Sequence, residues 1–184
     1  MAASRVLQTL TISEAAVGGI APPPGYRVEQ WTGETPEHLL ASVAATRQSI
    51  DDAPATRSAV RAPEWTPEVV RAEEAEARAG GVEQRVAVAV EEATGLVVAL
   101  TDVPLHPGDL TRTHWGTTVV MPAHRGHGLG RMVKAHLLRG LTADRPELEH
   151  VGTGTDSANS AMIRVNERLG FVTTREVVVV SRSL

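Results

Sequence analysis

The sequence predicts one α/β (α+β) domain, and three observations lead there. Short β-rich runs alternate with helical patterns in the order strand, helix, hairpin, strand, helix, strand, helix, strand. One strand turns through three alternating glycines, Gly126, Gly128 and Gly130, directly into an amphipathic helix. A chain of 184 residues with 42% apolar and 22% charged residues suits one well-formed core rather than two.

Composition excludes several function classes. With three Trp, one Tyr and one Phe, the core must be mostly Val, Leu, Ile and Ala. The net charge of −4 argues against a general nucleic-acid binder, which would show a basic face. There is no cysteine, so no disulfide, thiolate metal site or thiol nucleophile is available. The seven histidines are scattered without ligand spacing, and no metal is inferred. No stretch approaches the ~18 apolar residues of a membrane helix, and polar Gln8, Thr9, Thr11, Ser13 and Glu14 interrupt any signal-peptide core. A cytoplasmic location with no membrane partner is expected.

Residues 6–12 alternate as a short strand with Val6, Gln8 and Leu10 on one face. Pro22, Pro23 and Pro24 mark a linker, so residues 1–24 read as an arm preceding a domain over 25–184. Residues 26–31 form the first strand of that domain. A helix is expected over residues 36–50, capped by Thr35, with Leu39, Leu40 and Val43 as its apolar stripe. Residues 53–64 are irregular. A second helix starts at Thr66, Pro67 and Glu68, a cap, a first-turn proline and an early acid. Its charged later part reads as a solvated face, with an acidic face for a cationic substrate as the alternative.

Residues 84–91 and 96–101 form a hairpin, followed by a loop over 104–109 and a strand over 115–121. After the glycine turn, Leu129, Met132, Val133, Leu137, Leu138 and Leu141 lie on one helical face, whereas Arg131 and Lys134 read equally well as exposed. A strand over 150–155, a helix over 160–169 and a buried strand over 171–181 complete the chain.

The glycine turn aims backbone N–H groups and the positive end of a helix dipole at one point, which suits a pyrophosphate. Its spacing is not the dinucleotide fingerprint G-x-G-x-x-G. Nor is it a P-loop, because Arg131 and Met132 stand where Lys and Ser/Thr are required. The pattern it does meet is Arg-x-x-Gly-x-Gly, at Arg125, Gly128 and Gly130. A turn that merely lets strand and helix pack closely is the structural alternative.

This pattern resembles the acyl-CoA pyrophosphate loop of the GNAT (Gcn5-related N-acetyltransferase) superfamily. A second match supports it. Asn159, Met162, Asn166 and then Leu169, Gly170 and Phe171 resemble the family's Asn-x-x-small-x-x-x-Tyr-x-x-Leu-Gly-Phe segment. The closing run 166–171, with Gly25, Tyr26, Arg27 and Val28, looks most like the C-terminal half of actinobacterial double-GNAT proteins. The resemblance implies a mixed, mostly antiparallel sheet with helices on both faces and a splayed parallel strand pair that holds CoA. It implies that the backbone of Val119 and Met121 pairs with pantetheine amides, with an oxyanion donor near Val120 or Met121. Amides of Arg125, Gly126, His127, Gly128, Leu129, Gly130 and Arg131 would hold the pyrophosphate, and Asn159 would sit near the pantetheine arm. Asn159 is equally a candidate helix cap.

Two departures from the family carry consequences. The tyrosine that reprotonates the CoA thiolate falls at Asn166, whose amide is no acid. Only thirteen residues follow Phe171, so one strand of the family's closing hairpin is missing; residues 6–12, from this chain or from a second subunit of a dimer, are expected to fill the gap. The candidate bases are Glu91, Glu92, Asp102 and His114, the last titrating in a useful range. The function expected is transfer of an acetyl group from acetyl-CoA to the amine of a small molecule. A CoA-binding module with little catalysis, acting in interaction or regulation, is the alternative that Asn166 favours.

Overall fold

Strand β3 (Glu83–Glu91) is buried on both faces, and the fold is built outward from it. Its alternation sorts side chains by size. Ala87 and Ala89 point to one hydrophobic cluster, and Val86, Val88 and Val90 to another. The computed structural model describes residues 2–16, 18–52 and 64–180, and these two clusters lie on opposite faces of one sheet.

That sheet has the order β2 (Tyr26–Thr32), β3, β4 (Val97–Leu105), β6 (Thr118–Val120), all antiparallel. Helices α1 (Glu37–Gln48) and α2 (Pro67–Ala79) cover the valine face with Leu39, Leu40, Val43 and Val70. Helix α3 (Leu129–Asp144) covers the alanine face, where small side chains let it approach. Thr66 caps α2 as its sequence predicts, its hydroxyl accepting from the Val69 N–H at 3.3 Å. Thr35 does not cap α1. The N-cap is Pro36, and the Thr35 N–H donates instead to Glu74 of α2. The charged face of α2 is spent on ion pairs, Arg47–Glu73 at 2.8 Å, Arg71 with Glu37 and Glu74, and Arg78 with Glu34, in keeping with a solvated face.

A second sheet has the order β5 (Arg112–His114), β7 (His150–Asp156), β1 (Ala2–Thr11), β8 (Val172–Val180). The presumed arm is therefore sheet: β1 lies between β7 and β8, antiparallel to both, within the same chain. Val6, Gln8 and Leu10 are its buried face. This is the slot that the missing strand leaves, and β8 becomes an edge. The expected burial of the closing strand does not occur, since Val172 and Val178 are 62% and 63% exposed. An edge strand of this sheet has a neighbour on one side only, whatever its hydrophobicity.

The single expected strand over 115–121 is two. β5 runs parallel to β7 as far as the pair His114–Gly152; the chain then crosses at Trp115, Gly116 and Thr117, and β6 pairs with β4. The loop expected over 104–109 is shortened, because β4 continues to Leu105. Helix α4 (Ser160–Glu167) packs against α3. No described helix is long and apolar enough to cross a membrane. The irregular stretch expected over 53–64 falls outside the described residues except at Glu64.

Candidate active site

Because β6 leaves β7 and joins β4, a cleft of about 270 Å³ opens between them. One wall is Gly116, Thr117 and Thr118, the other Thr153, Gly154, Thr155 and Asp156, with Lys134 of α3, and Asn159 and Met162 of α4, also lining it. The crossing depends on Gly116. A Cβ there would lie 1.8 Å from Asp102 Oδ1 and 3.2 Å from the Asp102 carbonyl oxygen. Only a residue without a side chain lets the strand bend across this carboxylate, which accepts the Thr117 N–H at 2.9 Å.

The direction of the β6 backbone corrects one expectation. Met121 N–H donates to Val98 O at 2.9 Å and Asp102 N–H to Thr117 O at 3.1 Å. Bonded pairs in an antiparallel ladder alternate, so Val119 and Met121 spend their groups on β4. Thr118 and Val120 have theirs turned to the open edge. Arg125 Nε already donates to the Val120 carbonyl at 3.1 Å. The open strand edge of β6 is thus that of Thr118 and Val120, not of Val119 and Met121, and among the described residues the Val120 N–H, rather than that of Met121, has no strand partner.

Beyond Met121 a 3₁₀ turn (Pro122–His124) leads to Gly126 and Gly128, both in the left-handed region with φ of 85° and 78°. Gly128 is the N-cap of α3, with no side-chain cap, and the helical ladder starts with Met132 N–H to Gly128 O at 3.0 Å. The N–H groups of Leu129, Gly130 and Arg131 have no carbonyl within the helix to donate to. Arg125 and His127 are exposed beside them, and Arg131 is half-buried. The loop leaves these backbone donors open at one end of α3.

Lys134 is the residue that sequence reasoning missed. It is 1% exposed, with Nζ 4.1 Å from the Trp115 ring centroid and 5.3 Å from that of Phe171. Burial pushes its pKa from 10.5 down to about 7, opposed by the negative charge of Asp102. The two aromatic faces also favour the cation. A signal was available: at 100° per residue, position 134 falls inside the arc of Leu129, Met132, Val133, Leu137, Leu138 and Leu141. A charge within the arc of an apolar stripe is a signal of a buried charge.

The candidate bases separate. Asp102 is 7% exposed directly behind the crossing, its pKa pushed up by burial against the pull of Arg47, whose Nη2 is 3.6 Å away, and of the Thr117 N–H. His114 is exposed at the end of β5, its ring against Gly152, outside the cleft lining. Glu91 is removed from the site. It accepts the Thr94 hydroxyl at 2.7 Å in the β3–β4 turn, at the glycine-loop end of the sheet. That is roughly 20 Å along the strand from Asp102. Glu92 is exposed in the same turn.

Asn166 is fully buried behind Thr155, its Nδ2 donating to Gln8 Oε1 at 2.8 Å and directed to Thr155 Oγ1 at 3.4 Å. It ties α4 to the inserted strand β1 and does not line the cleft. Asn159 is the cap of α4, its Oδ1 accepting Met162 N–H at 3.1 Å, and it also lines the cleft.

Residues 51–171 match the model of the acetyltransferase (GNAT) family. The chain belongs to the GNAT acetyltransferase family. No curated protein sequence matches it. Among solved structures, this GNAT chain is similar to a tandem GNAT protein from the clavulanic acid biosynthesis pathway, with 28% identity and a TM-score of 0.78 over 96% of this chain and 52% of that one. A GCN5-related N-acetyltransferase from Sphaerobacter thermophilus shares the fold at 16% identity and a TM-score of 0.64, covering 96% of this chain and 50% of that one. So does an acetyltransferase from Trypanosoma brucei, at 20% identity and 0.58, covering 81% and 95%. The GNAT chain thus spans about half the length of the first two, consistent with one half of a double-GNAT protein.

Proposed function

We propose that this chain transfers an acetyl group from acetyl-CoA directly to the amine of a small molecule. The observation that carries the reading is the cleft between β6 and β7, which runs from the Gly116 crossing toward the glycine cradle. Its residues fit the cofactor. The free edge of Thr118 and Val120 would pair with pantetheine amides as a missing strand does. The amides from Gly126 to Arg131 would hold the pyrophosphate, and Arg125 would release Val120 and turn its guanidinium to phosphate. When bound, acetyl-CoA supplies an activated acyl group as a thioester. An N–H from Val120 or Thr118 would stabilise developing charge on its carbonyl oxygen.

Calorimetric titration with CoA, followed by thiol release from acetyl-CoA over a panel of amines, tests this. Gly128→Val introduces a β-branched side chain where φ is 78° and where the phosphates would meet the backbone. It should weaken CoA at least about tenfold. Unchanged affinity in a folded variant refutes the placement of the pyrophosphate. The burial of Asn166 favours a second reading, a CoA-binding module with little turnover. Tight CoA binding with no thiol release on any amine would establish that reading instead.

A further inference from the structure

We propose that Lys134 is the catalytic acid that protonates the departing CoA thiolate, so that a lysine of α3 does the work for which Asn166 is unfit. The proposal rests on the acetyl-CoA reading above. Asn166 has no acidic proton, and its amide is committed to Gln8 behind Thr155. Lys134 instead lines the cleft, with Gly116, Thr117 and Thr118 on one wall and Thr153, Gly154 and Thr155 on the other. That is where the strands part and where a thioester on the β6 edge would have its sulfur.

The surroundings hold Lys134 as a readily discharged cation. Trp115 and Phe171 present their ring faces to Nζ, and the Trp115 indole is itself fixed by donating to Thr101 Oγ1 at 2.8 Å. Asp102 of β4 attracts the ammonium from behind, with Arg47 of α1 and Glu73 of α2 linked to it in turn. Arg5 of β1 and Asp156 of β7 lie on the cleft wall, and His114 of β5 stands beside Gly152. Among the described residues, no ion pair or hydrogen bond ties Nζ down. Its pKa of about 7 makes it a far better donor than an ordinary lysine.

The proton count closes. The C–N bond of the amide forms as the C–S bond breaks; the acceptor nitrogen loses one proton and sulfur gains one. Lys134 gives its proton to sulfur and is recharged by the one shed from nitrogen, so no further reactant is required.

The test uses CoA itself and needs no acceptor. Thiolate absorbance of CoA bound to the full chain is followed against pH in wild type and in Lys134→Met. A neighbouring ammonium stabilises a thiolate. As the thiolate forms it raises the proton affinity of Lys134 in turn, so ammonium and thiolate titrate as a coupled pair. The bound thiol should ionise at least about one pH unit below free CoA in wild type and return toward the free value in the variant. Lys134→Arg, which keeps the charge, should retain the shift. Should the Met variant lose its fold by circular dichroism, Lys134→Gln serves for the same comparison. Equal CoA affinity with the same thiol titration in wild type and the uncharged variant overturns the role of Lys134 while leaving the cofactor reading intact. No CoA binding by wild type overturns both.

Discussion

Lys134→Met separates charge from packing, because methionine keeps much of the length and apolar volume of the lysine stem. In wild type the buried ammonium is displaced from 10.5 to about 7. A displacement of that size weighs against the folded state by roughly 4–5 kcal/mol where the lysine is fully protonated in both states. The ring faces of Trp115 and Phe171 return about 0.5–2 kcal/mol of it. The attraction of Asp102 opposes that displacement and is already contained in it, and methionine fills the site less completely than the lysine does. The expected net effect is a stabilisation of about 1–3 kcal/mol at about pH 6. The sign with pH follows from linkage. The folded pKa lies below the unfolded one, so between about 7 and 10.5 the unfolded chain binds more protons, and wild-type stability rises through that window. Urea unfolding of both proteins at about pH 6 and about pH 9.5 should show the advantage of the variant shrinking as pH rises. A variant less stable than wild type at the lower pH, or a difference that ignores pH, refutes the depressed lysine.

Other substitutions probe the cleft and the inserted strand. Gly116→Ala drives a methyl group into Asp102 and displaces the carboxylate from Thr117 N–H, so it should cost about 1–3 kcal/mol in urea unfolding. A neutral result would mean that the crossing tolerates a side chain. Leu10→Ala empties a fully buried site of β1 and should cost about 2–5 kcal/mol, whereas a loose arm would show almost no change in denaturation midpoint. Asn166→Ala removes the tie to Gln8 and Thr155 and should lower thermal stability by about 1–3 kcal/mol without a pH-dependent change in thiol release. A change in the pH profile would return Asn166 to the chemistry.

Local pattern carried much of the architecture. The valine–alanine alternation of β3, the Thr66–Pro67–Glu68 start of α2 and the apolar stripe of α3 are all short-range signals, and each stands in the fold where its pattern places it. The glycine turn is equally local, since left-handed φ at Gly126 and Gly128 and an uncapped helix start need no distant partner. Nothing local in the sequence separates Asp102 from Glu91 as a candidate base, whereas strand pairing places Glu91 at the other end of the sheet.

By itself, then, the sequence determined the order of elements, the glycine turn and uncapped helix start from Arg125 to Arg131, and membership of the GNAT family. Those features depend on residues within one or two turns of each other. Tertiary structure alone decided the exchange of partners between β5 and β6, the insertion of β1 between β7 and β8, and the exposure of β8. It also turned Thr118 and Val120, rather than Val119 and Met121, to the cleft, and set Lys134 among Trp115, Phe171 and Asp102. Strand neighbours and the burial of a charge depend on groups far apart along the chain, and no local pattern encodes which of them meet.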